Sequence, residues 1–378
     1  MDLEQFVQIR HFLHQNPEVS EEEKTTSMFV AGKMKEIWPE AELENVGNYG
    51  LIFSNKVDQP KKHLAFRCEL DALPIQEVND FEHKSVVPGV GHKCGHDGHM
   101  AIMMRLAHLV SLNKHQNIKI SLIFQPAEEN GKGAKEICEK SSLFKDQPLD
   151  FIFALHNVPG YKKGAVVLRS GIFTPAVISV KTKFIGKTSH AAEPHKGINP
   201  AHTLAEVIQE TKAKEVNQPE RDDMLIVAVV EANLGKPSYG TSAGDGMIGF
   251  TFRTWGNNRL EEFKSWYESM VVEKCKHAGL KCEFFWFESF NSVINDPEST
   301  NMIEKSAREN KLPIINKEEP FSWGEDYGLY TEKVQGAMFG LGAGEQHPAL
   351  HNPDYDFPDE LIKTGSDIFY GIIKSFES

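Results

Sequence analysis

The segment 91–99 brings together residue types that bind divalent metals. It reads GHKCGHDGH and places Cys94 and His96 two positions apart in a glycine-containing turn. A turn can direct neighbouring side chains at one ion, and thiolate and neutral imidazole are ligands for zinc-like metals. The segment therefore predicts part of a metal site. The plainer interpretation is a polar loop whose histidines only hydrogen-bond to the backbone.

A pair of adjacent acids, Glu128 and Glu129, follows an apolar run at 118–124. In a turn, adjacent acids can face different ways, so that one binds a metal while the other acts as a general base. An isolated acid pair is more often a solvated turn. Its position at the end of a strand-like run favours a role in the site.

Two histidines complete the set of candidate metal ligands. His156 comes directly after the apolar run 150–155, and His351 lies in a proline-containing loop. Either histidine alone would be a weak signal. Five protein ligands exceed the number that one tetrahedral ion uses, and they suit two nearby metals that water or substrate completes. The five candidate ligands are Cys94, His96, Glu129, His156 and His351.

Strand-like runs alternate with helical patterns before residue 160 and again after residue 290. Leu3, Phe6, Ile9 and Leu13 recur at helical spacing and predict an amphipathic helix over 2–15. Further helices are expected at 25–38, 99–112, 132–143, 298–310 and 359–375, and strands at 51–54, 63–68, 118–124, 150–155 and 336–341. This alternation predicts a mainly parallel α/β sheet, in which ligands bind at the carboxyl ends of the strands. The candidate residues follow those ends, so they can converge in space.

The middle of the chain, 173–286, has a different pattern. Strands are expected there at 177–185, 225–232, 247–254 and 281–288, and helices at 199–214 and 258–278. Four strands and two helices make a small α+β domain. We therefore predict a catalytic domain formed by 1–172 and 287–378, with 173–286 inserted into it.

Composition and charge limit the partners and the compartment. The chain has 378 residues and a net charge of −13, which argues against a nucleic-acid partner because that partner needs a basic face. Five cysteines are an odd, sparse set that does not resemble a disulfide framework. The first residues lack the basic and apolar regions of a signal peptide, and no window approaches the roughly 18 apolar residues of a membrane span. We expect a cytoplasmic protein without a membrane partner.

Eight segments, in order along nearly the whole chain, resemble the amidohydrolase branch of the aminoacylase/carboxypeptidase metallopeptidase family. That branch includes hippurate hydrolases, N-acetyl-diaminopimelate deacetylases, N-acyl-amino-acid amidohydrolases and auxin-conjugate hydrolases. The matching segments are RHFLHQNPE (10–18), DALPI (71–75), GHKCGHDGH (91–99), QPAEE (125–129), ALHN (154–157), GKTSHAAEPH (186–195), GEDY (324–327) and LHNP (350–353).

The resemblance implies a zinc-peptidase-like α/β catalytic domain with a mostly parallel mixed sheet, and an inserted α+β lid domain. It implies two divalent metals per subunit, drawn from zinc, manganese, cobalt and nickel, on the five candidate ligands. Dimerisation or higher homo-oligomerisation is expected through 173–286.

The resemblance also implies roles for residues outside the ligand set. Glu128 corresponds to the general base, and Asp71 to an aspartate that orients a ligand histidine. His190 corresponds to a lid histidine that helps bind substrate or polarise its carbonyl. Arg253 and Asn199 are expected to contact the substrate as well.

Two stretches depart from the pattern of the branch. Residues 240–253 lack the Asn-Val-Ile-Pro-like sequence common there, although Arg253 stands where the branch has an arginine. The run Gly131-Lys132-Gly133 after the acid pair also differs, and it leaves the charge of Lys132 without a role. These departures concern substrate preference rather than metal chemistry.

The implied function is metal-dependent hydrolysis of the amide bond of N-acyl amino acids, with Glu128 as the base for a metal-activated water. A dipeptidase or carboxypeptidase with the same metal site is an alternative, and so is a homologue that only binds ligands. The sequence contains every ligand and the base, which argues against a homologue that only binds ligands. A nucleophilic Cys94 activated by histidine is a third possibility, but it leaves Glu129 and His351 unexplained.

Overall fold

The strands in the described residues form one eight-stranded sheet, one four-stranded sheet and two small two-stranded sheets, and each of the two larger sheets belongs to its own compact unit. The computed structural model describes residues 1–145 and 149–377. The first unit comprises Met1–Phe173, Val293–Glu318 and Glu325–Ser378, and the second comprises Thr174–Ser292 and Glu319–Gly324.

Except for the short α8, which the sequence did not indicate, the helices lie close to the positions expected from the sequence. They are α1 (Leu3–Gln15), α2 (Lys24–Ile37), α3 (His96–Ser111), α4 (Gly133–Lys140), α5 (Ala201–Lys212), α6 (Asn257–Ala278), α7 (Pro297–Glu309), α8 (Gly328–Thr331) and α9 (Leu361–Ser375). Short 3₁₀ turns occupy Ser142–Phe144 and Pro194–Lys196. In the described ranges, no helix is long and apolar enough to cross a membrane.

The strands include every run expected from the sequence, together with several short ones that it did not indicate. They are β1 (Glu42–Val46), β2 (Gly50–Ser54), β3 (Lys62–Glu69), β4 (Ile118–Gln125), β5 (Phe151–Pro159), β6 (Val166–Leu168), β7 (Gly171–Thr174), β8 (Ala176–Ile185), β9 (Ser189–His190), β10 (Leu225–Leu234), β11 (Thr241–Ser242), β12 (Asp245–Thr254), β13 (Lys281–Phe290), β14 (Val293–Asn295), β15 (Ile314–Asn316) and β16 (Gln335–Gly344).

The first unit is built on an eight-stranded mixed sheet with the order β1-β2-β4-β3-β5-β16-β6-β15. Its centre is parallel, since β3 runs parallel to β4 and β5, and β16 runs parallel to β5. These central strands are buried along almost their whole length, as expected for parallel strands covered on both faces. The predicted α/β class with a mostly parallel mixed sheet is confirmed.

Helix α3 lies in the core of the first unit, where it packs against α1, α9 and strand β3. It begins at His96, three residues before the predicted start. Gly95 precedes it with a φ of 91°, a left-handed conformation that glycine adopts without steric cost. A Cβ at this position would lie 2.5 Å from the side chain of Asn157. Gly95 therefore lets the loop that carries Cys94 continue directly into α3.

The second unit contains an antiparallel sheet with the order β10-β12-β8-β13. Helices α5 and α6 contact this sheet, and its core includes Val180, Phe250, Phe252 and Tyr267. The four strands and two helices are those expected from the sequence. The structural boundaries run from Thr174 to Ser292 and add Glu319–Gly324, compared with 173–286 from sequence. The roles of this unit as lid and dimerisation domain stay predictions.

Candidate metal centre

The five candidate ligands come from four segments of the first unit. Glu129 follows the carboxyl end of β4, and His156 lies near the carboxyl end of β5. Cys94 and His96 stand at the start of α3, and His351 lies in the loop between β16 and α9. His156 is inside its strand rather than just after it, because β5 continues to Pro159. The strand ends bring together residues that are far apart in the chain.

One group of ligand atoms is formed by Cys94, His96 and His156. Their sulfur and ring nitrogens all lie within 4.8 Å of one another. The Sγ of Cys94 is 3.4 Å from Nε2 of His156. All three side chains are buried. This is the spacing that one ion with thiolate and imidazole ligands requires.

A second group shares Cys94 and adds Glu129 and His351, again with ligand atoms within 4.8 Å. Oε1 of Glu129 lies 3.7 Å from Nε2 of His351 and 4.0 Å from Nε2 of His96. The side chain of His351 is 53% exposed, whereas the other ligands are largely or wholly buried. The two groups are therefore adjacent, and His351 is their solvent-facing member.

The donor atoms of this centre fit a divalent cation. Within the part of the chain that the structure describes, Nε2 of His96 and Oε1 of Glu129 are buried and lack hydrogen-bond partners. Buried polar atoms are costly when nothing satisfies them. A cation held by both atoms would satisfy them, because a ring nitrogen and a carboxylate oxygen are ordinary ligands for zinc-like metals.

The electrostatics of the centre also favour a cation. Burial lowers the pKa of His96, but a hydrogen bond with Asp71 and the charge of Glu69 outweigh this and raise it to about 10. Burial and the nearby Asp71 raise the pKa of Glu129 to about 7, although His96 opposes the shift. The raised pKa of His96 reflects the acids around it, and the raised pKa of Glu129 reflects mainly the cost of burying its charge. A divalent ion would balance these buried carboxylates.

Contacts on the far side of each ring determine which histidine nitrogens face the centre. Nδ1 of His96 lies 2.8 Å from the main-chain oxygen of Asp71 and 3.3 Å from its Oδ1, which leaves Nε2 for a metal. Nδ1 of His156 lies 3.0 Å from the main-chain oxygen of Asn157. Burial lowers the pKa of His156 well below its usual value and keeps the imidazole in the neutral form that binds metals.

The two adjacent acids follow a strained turn. Ala127 has a φ of 52°, an uncommon value for a residue with a side chain. Glu129 belongs to the group with Cys94 and His351, whereas Glu128 has an oxygen within 4.8 Å of ligand atoms of His96 and Glu129 and also clusters with a buried acidic pair, Glu325 and Asp326. Burial, with Glu325 and Glu129 close by, raises the pKa of Glu128 well above its usual value. A raised pKa suits a carboxylate that takes up a proton during turnover.

A buried arginine network supports the same edge of the sheet. Arg67 is wholly buried and forms ion pairs with Glu69, Glu325 and Asp326, while its Nε donates to Gln125 at 2.8 Å. Oε2 of Glu69 in turn lies 2.6 Å from Nδ1 of His99. Local sequence patterns indicate no role for these residues. The available signal was a charged residue inside the apolar run 63–68, where a buried charge needs partners.

Comparison with known proteins decides the family. Residues 65–375 match the description "Peptidase family M20/M25/M40". The N-acetyl-L-cysteine deacetylase of Bacillus subtilis is 30% identical over 97% of this chain and 86% of its own length. The chain belongs to this peptidase family. The resemblance inferred from the eight segments is therefore confirmed.

Other M20 relatives carry different activities in their names. Thermostable carboxypeptidase 2 of Saccharolobus solfataricus is 29% identical over 95% of this chain and 92% of that protein. A solved dinuclear metal-binding peptidase of the M20 family from Bacillus subtilis matches with a TM-score of 0.83 at 24% identity, over 99% of this chain and 98% of that one. The structural likeness shows that the fold is shared. As an M20 member with clustered ligand residues, the protein is a metal-dependent amidohydrolase.

Three predicted substrate residues belong to the second unit of this M20 enzyme. His190 is exposed in β9, and its Nδ1 accepts a hydrogen bond from the amide of Ala192. Asn199 precedes α5 and donates to Ser242 at 3.0 Å. Nε of Arg253 in β12 donates to a main-chain oxygen of the same unit. Their substrate contacts stay predictions.

The remaining charges and thiols have structural explanations. Lys132, which the sequence left without a role, is exposed and pairs with Glu21 at 2.6 Å. All five cysteines are free, so the absence of a disulfide framework agrees with the sequence. Burial, with Glu129 nearby, raises the pKa of the Cys94 thiol well above its usual value. That shift disfavours an unaided thiolate nucleophile, whereas a metal would stabilise the thiolate as a ligand.

Proposed function

We propose that this M20 enzyme hydrolyses the amide bond of N-acyl amino acids and releases a carboxylate and a free amino acid. The observation that carries the proposal is the position of Glu128. It is 5% exposed, and a carboxylate oxygen lies within 4.8 Å of ligand atoms of His96 and Glu129. Metal-assisted activation of a water molecule requires a base of this kind beside the side chains that bind the metal.

The five candidate ligands would hold the metals, and their number and two overlapping groups support two ions per chain. Bound divalent metals supply Lewis acidity and make a water molecule acidic near neutral pH. Zinc, manganese, cobalt and nickel all suit a set of nitrogen, oxygen and sulfur ligands. The identity of the native metal stays a prediction.

The residues of the chain carry the proton and the positioning. Glu128 takes a proton from the attacking water and later passes it to the amine of the leaving amino acid. Asp71 holds the ring of His96 and, through its Oδ2, the main-chain amide of Glu129 at 2.9 Å. His190, Arg253 and Asn199 are proposed to bind the substrate, with His190 helping to polarise the acyl carbonyl.

The substrate class is supported by relatives named as deacetylases of N-acetylated amino acids, one for N-acetyl-L-cysteine and one for N-acetyldiaminopimelate. A carboxypeptidase is a second candidate, because a relative with that name is almost equally similar. A panel of N-acetyl and N-benzoyl amino acids, run against a panel of dipeptides with each added metal, separates the two. Higher kcat/KM on the dipeptides would favour the carboxypeptidase.

Glu128→Gln tests the proposed base. The amide keeps the size of the side chain but cannot take up the proton, so kcat should fall by about 10²–10⁴-fold while two metals per chain are retained. Glu139→Gln, an exposed change on α4, is the matched control and should keep the wild-type rate. Near-wild-type turnover of N-acyl amino acids by Glu128→Gln would show that another group is the base.

A further inference from the structure

The connection between α1 and α2, residues 16–23, contacts the turn that carries the two acids, residues 126–132. We call these segments the α1–α2 connection and the acid turn. Part of the connection lies in the matching segment 10–18, to which the chemistry above gives no role. Glu23 is its last residue, and the side chain is fully buried.

Glu23 directly contacts the strained residue of the acid turn. Its Oε1 accepts a hydrogen bond from the amide of Ala127 at 2.7 Å. Ala127 is the residue with a φ of 52°, and it immediately precedes Glu128. A residue other than glycine keeps a left-handed backbone conformation only when its surroundings hold it there. The carboxylate of Glu23 supplies one such constraint from outside the turn.

The same connection reaches the other end of the acid pair. Oγ of Ser20 donates to Oδ2 of Asp71 at 2.7 Å, and that oxygen also accepts from the amide of Glu129 at 2.9 Å. The main-chain amides of Ala127 and Glu129 are therefore both bonded to acceptors that the connection provides or orients. The turn is held on both sides of the proposed base.

Glu23 stands at the N-cap of α2, yet its side chain makes no capping bond in the described structure. Glu18 performs that task instead, since its carboxylate accepts from the amides of Thr25 and Thr26 at 3.1 and 2.7 Å. Short polar side chains at an N-cap usually accept from the first amides of their own helix. Here the first amides of α2 bond to Glu18, and the carboxylate of Glu23 faces the acid turn.

We propose that Glu23 is a positioning residue, which holds the acid turn in the conformation that places the proposed base Glu128 beside the proposed ligand Glu129. This inference rests on the proposed function of that pair. Loss of the carboxylate should let the turn relax, and Glu128 should move away from its place beside the ligand groups. Displacements of about 1 Å at such a group reduce turnover by as much as about 10²-fold.

The test compares Glu23→Ala with Glu23→Gln, whose amide oxygen can still accept from Ala127. We expect kcat on an N-acyl amino acid to fall by about 10–100-fold in Glu23→Ala and by less than about threefold in Glu23→Gln, with little change in KM. Glu22→Ala removes a neighbouring exposed acid and should keep the wild-type kcat. If Glu23→Ala does not fold, Glu23→Asp replaces it, because the shorter side chain cannot span the same distance.

Hydrogen exchange of metal-free protein supplies a readout that does not depend on activity. Amides of the acid turn should exchange at least about tenfold faster in Glu23→Ala than in wild type, and at the wild-type rate in Glu22→Ala. Unchanged exchange together with an unchanged kcat would overturn the inference, as would equal losses of kcat in the Ala and Gln variants. If wild type fails on every N-acyl amino acid while the exchange difference is present, the proposed function fails and the positioning role stands.

Discussion

Asp71→Asn removes one buried charge from the metal centre while keeping the size of the side chain. Oδ1 of Asp71 lies 3.3 Å from Nδ1 of His96, and Oδ2 accepts from the amide of Glu129 and from Ser20. Burial raises the pKa of Asp71, but its hydrogen bond with His96 outweighs this and keeps the pKa below its usual value. The carboxylate is therefore charged at neutral pH, and the substitution removes a real charge.

The expected magnitude follows from what the substitution leaves in place. Nδ1 of His96 keeps its contact with the main-chain oxygen of Asp71 at 2.8 Å, so the orientation of the ring should survive. What is lost is the negative charge that makes His96 a stronger ligand. Removing a partner of this kind weakens metal affinity by roughly 10–100-fold, or about 1.4–2.7 kcal/mol.

Competition titrations with a chromogenic chelator measure this loss directly in the purified protein. Asp80→Asn is the matched control, because it makes the same substitution at a side chain that is 97% exposed. The control should bind metal within about twofold of wild type, as expected for an exposed charge. Equal affinities for Asp71→Asn and the control would refute the argument that Asp71 supports the ligand histidine.

Two further predictions concern the charges around the centre. Arg67→Met leaves Glu69, Glu325 and Asp326 without their cation and should lower the free energy of unfolding by on the order of 3–5 kcal/mol in urea titrations. Lys62→Met, which breaks a half-exposed pair with Asp150, should lower it by less than about 1 kcal/mol, and equal losses would contradict this. Burial raises the pKa of Glu77, but hydrogen bonds with His14 and Lys93 hold it well below the usual value of 4.5. The stability that Glu77 contributes is therefore complete above about pH 4.5 and lost as the pH falls further, so Glu77→Gln should be less stable than wild type at pH 7 and closer to it at pH 3. A stability difference that is equal at both pH values would contradict this assignment.

The central strands and the long helices could be predicted from sequence because local patterns determine them. Strands β3, β4 and β5 are mainly apolar runs, and α1 and α6 have clear helical periodicity. The early start of α3 was missed, since it depends on the left-handed Gly95 beside Asn157. Short strands such as β6 have too few residues to show a period, and they form only because neighbouring strands pair with them.

The candidate ligands could be recognised because their residue types are rare at strand ends. Their meeting follows from the parallel order of β3, β4 and β5, since the carboxyl ends of parallel strands share one edge. The ion pairs of Arg67 could not be found in this way. Two of its partners lie 258 and 259 residues away, and no local pattern indicates which buried acids will meet it. The contact between Glu23 and Ala127 is hidden for the same reason.

The most direct test of the account is an anomalous-difference map from crystals of the protein grown with zinc or manganese. We expect two peaks, one among Cys94, His96 and His156 and one against Glu129 and His351, with a zinc–sulfur distance of about 2.3 Å at Cys94. Peaks elsewhere in the molecule, or no peak beside these five side chains at a saturating metal concentration, would contradict the central claim that they form a metal centre.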